Sequence, residues 1–261
     1  MTFKEFLKFK GYQARCRRKR GEIFKQYLKP QEGDSILDLG GEDGVYISQL
    51  LPFKTNVTIA DINAKKLKQS AQKGYKTIQL NESGKIPVED GYFDIIFCSS
   101  VIEHVTVDKK DIESIQTNRE FRNIALKRQK KLAGEIERVG KSYFVQTPYK
   151  YFPLESHSRL PFILVLLPRK LQIKIIKFFR KFWFARTTPD WNLLTVKDMK
   201  FLFPGAKIIK ERAFFFTKSL MAIKLCGDHE QYTRERGGLP PCPFSNNLPG
   251  PRHRPSGNLF L

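Results

Sequence analysis

Cysteine and histidine are scarce in this chain of 261 residues, with four of each. The cysteines, Cys16, Cys98, Cys226 and Cys242, stand far apart with no C-x-x-C pair. Such spacing supports neither a zinc site nor a disulfide framework, so no metal is expected and a reducing, cytoplasmic location is the simplest one. Acids are short as well: 26 Asp and Glu against 47 Lys and Arg leave a formal net charge of +21. A field of that size favours anionic partners, namely nucleic acid, anionic lipid headgroups or phosphorylated substrates, without choosing among them. Long hydrophobic runs are missing too. The longest, PFILVLLP at 161–168, is bounded by prolines and falls well below the ~20 residues of a spanning helix. The opening MTFKEFLKFK lacks the uninterrupted apolar stretch of a signal peptide, so neither secretion nor membrane insertion is expected.

What is present suits a packed α/β protein. Hydrophobic residues make up 41% of the chain, with 22 Phe, and the length fits one large domain carrying an insertion. Residues 1–30 read as a basic helical extension of one or two amphipathic helices, with Arg15, Arg17, Arg18, Lys19 and Arg20 clustered between apolar positions. From Ser35 the pattern alternates: SILDLG as strand, GVYISQLLP as helix, NVTIADI as strand, AKKLKQSAQKG as helix, then KTIQL and FDIIFCSS as strands. Alternation of this kind implies right-handed β-α-β units and a mostly parallel sheet. Residues 105–138 are helical in pattern, SYFVQTP is a strand, 162–184 look like a helical insertion, and FPGAKIIKERAFFFTKSLMAIKL reads as two closing strands. The expected division is therefore an extension over 1–30, a main domain over 31–226 with a helical lid at about 160–190, and a disordered Pro- and Gly-rich tail over 227–261.

The sharpest local signal is ILDLGGEDG at 36–44, an apolar strand running through Asp38 into Gly40, Gly41 and Gly44 ahead of a helix. Glycines let the backbone turn tightly and approach a ligand, and a helix N-terminus offers free N–H donors. An ordinary Gly-rich βα turn is the bland alternative. NVTIAD adds Asp61 at the end of the next strand, about 20 residues on, where a carboxylate can accept both hydroxyls of a ribose. A dinucleotide site would need G-x-G-x-x-G to seat a pyrophosphate, and Glu42 puts negative charge there.

With these residues in place the sequence resembles the class I S-adenosylmethionine-dependent methyltransferases, in particular their type 11, small-molecule branch. The resemblance runs closely over 33–108, including IPVEDGYFDIIFCSSVIEHV, and more loosely through TPYKYFPLESHSRLPF. It implies a Rossmann-like, doubly wound, seven-stranded, mostly parallel α/β sheet with a helical lid insertion. It further implies S-adenosyl-L-methionine as cofactor and S-adenosyl-L-homocysteine as product. By position, Asp38, Gly40, Gly41 and Gly44 frame the methionine end, Asp61 takes the ribose and Ile62 lies beside the adenine. Glu82 and Ser83 match the pair near the adenine amino group, and Ser99 and Ser100 lie at the strand tip facing the sulfonium, Ser100 toward the acceptor. Glu42 stands where the family has its middle glycine; either it crowds the cofactor or it points outward.

Methyl transfer from a sulfonium is an in-line displacement that proximity and alignment can drive, so a base is needed only for an unionised hydroxyl or a protonated amine. His229 and His253 fall in the tail, leaving His104 in IEHV, and His157 with Glu155 in PLESHSRLP, as candidate catalytic groups. Tyr149 and Tyr151 are candidates for lining the acceptor pocket. In KLQIKIIKFFRKFWFAR, Lys170, Lys174, Lys177 and Lys181 share one face. That helix is either a lid packed on the sheet or an interfacial helix holding the enzyme peripherally at the anionic inner membrane surface. The expected activity is methylation of a hydroxyl, carboxyl or amine on a small-molecule, saccharide or lipid-linked acceptor. An RNA methyltransferase and a non-catalytic methyltransferase-fold binding protein are the rivals. SSVIEH, which lacks the N/D-P-P-Y pattern of base methylation, weighs against a base as acceptor and leaves RNA ribose or tRNA open.

Overall fold

The structure is a computed structural model that describes residues 3–81, 84–108, 111–112, 114–152, 167–181, 190–213 and 215–226. The chain divides into two compact units, Met1–Leu225, which holds every element below, and Cys226–Leu261, of which only Cys226 is described.

Four consecutive buried residues, Ile36–Leu39, form β1 at the centre of the sheet. Apolar side chains on both faces, with Asp38 the one polar residue, suit a strand covered by helices on each side. Around it lie β2 (Val57–Asp61), β3 (Lys76–Gln79), β4 (Phe93–Ser99), β5 (Gly140–Pro148), β6 (Lys207–Ala213) and β7 (Phe216–Lys224). The order across the seven-stranded sheet is β3-β2-β1-β4-β5-β7-β6. All neighbours through β5 run parallel, and β7 is antiparallel to both β5 and β6. The chain leaves β1 toward β2 and β3, then returns to start β4 on β1's other side. Strand order thus reverses between β1 and β4, and the crevice beyond their carboxyl ends is where such sheets bind ligands.

Two cores flank the sheet. One gathers Leu37, Ile96, Ile136, Tyr143 and Leu220 beneath α4 (Asn118–Val139) and the short α6 (Val196–Leu202). The other gathers Ile36, Ile59, Phe97 and Phe144 beneath α2 (Val45–Leu50), α3 (Ala64–Gln72) and Phe24 of α1. Helix α1, Phe3–Leu28, is one continuous helix rather than two. Phe24 is fully buried, its ring 4.8 Å from Phe97 and 5.6 Å from Phe144. Arg15, Arg17, Arg18 and Lys19 sit on its exposed side.

The helical reading of 105–138 needs correction. A single 3-10 turn, Ile102–His104, follows β4, and α4 begins only at Asn118. Thr117 caps it by accepting from the Glu120 amide at 3.3 Å. Ahead of the cap, Val107, Ile112 and Ile115 pack with Phe121 into a small cluster of their own, so apolar spacing there reflects burial of a loop. Within the insertion, α5 spans Arg169–Lys181. Its Ile173 and Ile176 are buried, Ile176 against Trp191 and Leu193, while Lys170, Lys174 and Lys177 are exposed. Among the described residues no helix is long and apolar enough to cross a membrane.

Candidate cofactor and acceptor site

The turn after β1 is built from backbone that only glycine enters cheaply. Gly44 sits at φ 72°, and a Cβ there would press on Ile59 and the Tyr75 ring. At Gly41 a Cβ would collide with the Asp38 carboxylate, so the carboxylate lies directly against the main chain of the turn. Gly40 ties the strand end to β2 by donating to the Ala60 carbonyl at 2.7 Å. Asp38 is 3% exposed, and its Oδ2 has no hydrogen-bond partner. Burial first, and then the neighbouring Asp61 charge, push the Asp38 carboxyl up to about 7 from its ordinary 3.8.

Asp61 ends β2 facing the same turn, its Oδ2 accepting from the Glu42 amide at 3.1 Å and its Oδ1 from the Asn63 amide at 2.8 Å. Two backbone donors hold this carboxylate still at the mouth of the crevice, with lone pairs left over. Ile62, the next residue, is 62% exposed, a large apolar side chain held on the surface beside a polar anchor. Glu42 adopts φ 50°, the left-handed region that a glycine would enter freely. Its side chain is well exposed and runs to Lys66 of α3 at 3.5 Å, and its carbonyl accepts from Ser70 Oγ at 2.8 Å. The carboxylate of Glu42 is thus turned toward α3.

Past β4, Ser99 and Ser100 meet a residue that sequence reasoning missed. Gln146 of β5, fully buried, accepts at Oε1 from Ser99 Oγ (2.8 Å), Ser100 Oγ (3.1 Å) and Arg20 Nη1 (2.6 Å). Three donors fix the amide's orientation and leave Nε2, also buried, without a hydrogen-bond partner. Ser100 reaches this position at φ 59°, with its amide on the Gln146 carbonyl at 2.9 Å. Arg20 arrives from α1 and lies 3.8 Å from the buried Glu211 carboxylate of β6, which accepts from Ser219 Oγ. One signal was available: an amide in the middle of the buried strand SYFVQTP needs a polar reason. The arrival of Arg20, 126 residues away in sequence, had none.

His104 stands on the 3-10 turn with Nδ1 3.7 Å from Asp190 Oδ1, and Thr106 Oγ1 donates to the Asp190 carbonyl at 2.7 Å. Its neighbour Glu103, also unforeseen, is completely buried and accepts from Thr147 Oγ1 at 3.0 Å. Burial raises the Glu103 carboxyl, with His104 the foremost opposing charge. Tyr149 and Tyr151 follow β5 with rings 5.6 Å apart and nearly perpendicular, Tyr151 being exposed. Glu82, Ser83, Glu155 and His157 lie outside the described residues.

A reversing seven-stranded sheet of this order, with a glycine turn and two carboxylates at its switch point, is the fold of the class I methyltransferases. Residues 37–142 match the family model described as a methyltransferase domain. Among solved structures, an S-adenosylmethionine-dependent methyltransferase from Clostridium acetobutylicum shares 12% identity over 86% of this chain and 99% of its own, with a TM-score of 0.51. A Methanosarcina mazei methyltransferase is 18% identical over 78% and 97%, at 0.47. Magnesium protoporphyrin IX methyltransferase from Synechocystis, solved with bound SAH, is 14% identical over 86% and 88%, at 0.46. At 12% identity the likeness to the Clostridium structure speaks to fold alone. No curated protein matches the chain.

Proposed function

We propose that the protein transfers a methyl group from S-adenosylmethionine to a hydroxyl, carboxyl or amine of a small-molecule, saccharide or lipid-linked acceptor. The observation that carries this reading is the meeting of Asp38, the Gly40–Gly44 turn, Asp61 and the Ser99–Ser100–Gln146 cluster at one carboxyl edge of the sheet. The residues fit the cofactor: a buried carboxylate oxygen lacking a partner suits a cationic ligand, an anchored Asp61 suits a ribose diol, and exposed Ile62 suits an adenine face. When bound, the cofactor supplies an already activated methyl group. The chain's own part is to hold and align, with Gln146 Nε2 offering a buried donor beside the acceptor and His104, steadied by Asp190, taking a proton from a hydroxyl or ammonium. Glu155 and His157 are a second candidate pair for that proton.

Calorimetric titration tests the reading. Both S-adenosylmethionine and S-adenosylhomocysteine are expected to bind, and Asp61→Ala to weaken both by about tenfold or more, the worth of a hydrogen-bonded charge. Because the Glu42 side chain runs to Lys66, Glu42→Gly is expected to change affinity by less than about threefold. No binding by the wild type, restored by Glu42→Gly, would instead mark a degenerate pocket and a non-catalytic protein.

Helix α5 supports peripheral contact with anionic lipid, since Leu171 and Phe178 are exposed beside Lys170, Lys174 and Lys177. Flotation with vesicles containing anionic lipid should fall when those three lysines become Glu, because each cation near such a surface contributes about 1 kcal/mol. Equal flotation of wild type and variant removes the membrane from the reading.

A further inference from the structure

On the α4 side of the sheet edge, a cavity of about 90 Å³ is lined by Asn118, Arg122, Lys150, Arg169, Gln172 and Asn192, with Phe121, Trp191 and Leu193 as apolar walls. Three cations therefore converge from three different parts of the chain: the first turns of α4, the residue pair after β5, and the start of α5. Mutual repulsion and lost hydration oppose such a gathering unless something negative joins it.

Among the described residues, Asp198 is the acid that faces both Arg122 and Lys150. Arg122 Nη2 bonds Asp198 Oδ1 at 2.6 Å, but Nη1 is buried with no hydrogen-bond partner. Asp198 is itself engaged in capping α6, where it accepts from the Thr195 amide and hydroxyl, both at 2.8 Å. Lys150 loses hydration in the cavity and feels Arg122, and both lower its ammonium pKa, against a smaller opposing pull from Asp198. Arg169 is 3% exposed, stacked 3.8 Å over the Phe121 ring, and its burial lowers it to about 10 despite the charge of Asp190. Asp190 stands against Arg169 and also faces His104.

We propose that this cavity is a binding site for a phosphate group, held by Arg122, Lys150 and Arg169 with the amides of Asn118, Gln172 and Asn192 around them. Guanidinium forks accept carboxylate and phosphate alike, and three cations together favour the anion that carries more charge. The volume suits it as well, since one water needs roughly 10–15 Å³ of such space and a five-atom oxyanion needs a few times that. The pocket also joins the candidate active edge covalently and by hydrogen bonds. Asn192 donates its backbone amide to the Glu103 carbonyl at 2.8 Å and its side-chain amide to Gln129 Oε1 at 2.9 Å. If the phosphate is carried by the methyl acceptor, that assignment rests on the methyl-transfer reading above; the binding of phosphate does not.

The test is titration of the full chain, without S-adenosylmethionine, by inorganic phosphate, glycerol 3-phosphate and acetate at constant ionic strength. Saturable phosphate binding is expected, weakened about tenfold or more by Lys150→Gln and unchanged by Lys131→Gln, an exposed lysine of α4 outside the cavity. Arg122→Gln provides a second variant, and circular dichroism melting confirms that each is folded. Tighter binding of glycerol 3-phosphate than of phosphate identifies a carried phosphomonoester, and equal or weaker binding identifies the free ion. Absence of saturable binding, equal binding by Lys150→Gln and wild type, or acetate binding as tightly as phosphate overturns the proposal. A chain that binds S-adenosylmethionine but not phosphate loses this site and keeps its methyltransferase reading.

Discussion

Asp38→Asn is expected to stabilise the ligand-free protein at pH 8 by about 2–4 kcal/mol and to leave its stability at pH 4 nearly unchanged. The cause is a carboxyl that the fold holds at about 7 against its ordinary 3.8, through burial and the nearby charge of Asp61. A carboxyl raised on folding prefers the protonated form in the folded state. Its penalty is therefore absent below pH 3.8, grows as pH climbs, and is complete above about pH 7. Three pKa units correspond to about 4 kcal/mol, and the asparagine returns part of that because its own amide needs partners where Asp38 Oδ2 has none. Urea unfolding of both proteins between pH 4 and 8 measures the difference directly. A gap between them that stays constant with pH would show that Asp38 does not titrate in this range.

The same carboxylate links stability to ligand. A cation placed beside Asp38 lowers its pKa, so S-adenosylmethionine should bind more tightly as pH rises through 7 and should release a proton when it binds below that. In the asparagine variant both the proton release and the pH dependence should vanish, alongside a loss of affinity of about tenfold. Calorimetry in two buffers of different ionisation enthalpy reads the proton. On the proposed reading, Asp38 trades apo stability for a charge poised toward the cofactor, as functional sites often do.

What could be read from the chain was local. Strand β1, the glycine turn and Asp61 lie within one β-α-β unit, where apolar runs, glycines and a strand-ending acid carry their meaning in short windows. The closing β6 and β7 are likewise a sequence-adjacent hairpin. What could not be read depends on chain segments that meet only in three dimensions. Arg20 reaches Gln146, and Asp190 reaches His104, across gaps that no periodicity spans. Arg122, Lys150 and Arg169 each look like one more surface cation among 47 until the fold points them into the same cavity. The start of α4 was missed for a related reason: Val107, Ile112 and Ile115 are apolar because a loop buries them, and only the Thr117 cap marks where helix begins. Gln146 shows the intermediate case, a polar side chain in a buried strand that announces a partner without naming it.

Phe24→Ala is expected to lower the unfolding free energy by about 3–5 kcal/mol, the usual loss when a fully buried aromatic is cut to a methyl. On sequence alone α1 could be an appendage carrying basic charge, because its arginine cluster dominates its composition. The geometry gives it another role. Phe24 fills the space above β4 and β5, edge-on to the stacked rings of Phe97 and Phe144, which lie 5.5 Å apart. One helical turn earlier on the same face, Arg20 reaches the carboxyl edge of the sheet and bonds Gln146. The ring therefore anchors the helix that aims the guanidinium, and losing it should also loosen the Ser99–Ser100–Gln146 cluster. Phe24→Leu keeps most of the apolar volume and should cost less, about 1–2 kcal/mol. Denaturant melts of the two variants separate the cases. If Phe24→Ala cost less than about 1 kcal/mol, in the range of a surface change, α1 would be a detachable arm and the contact between Arg20 and Gln146 would have no anchor.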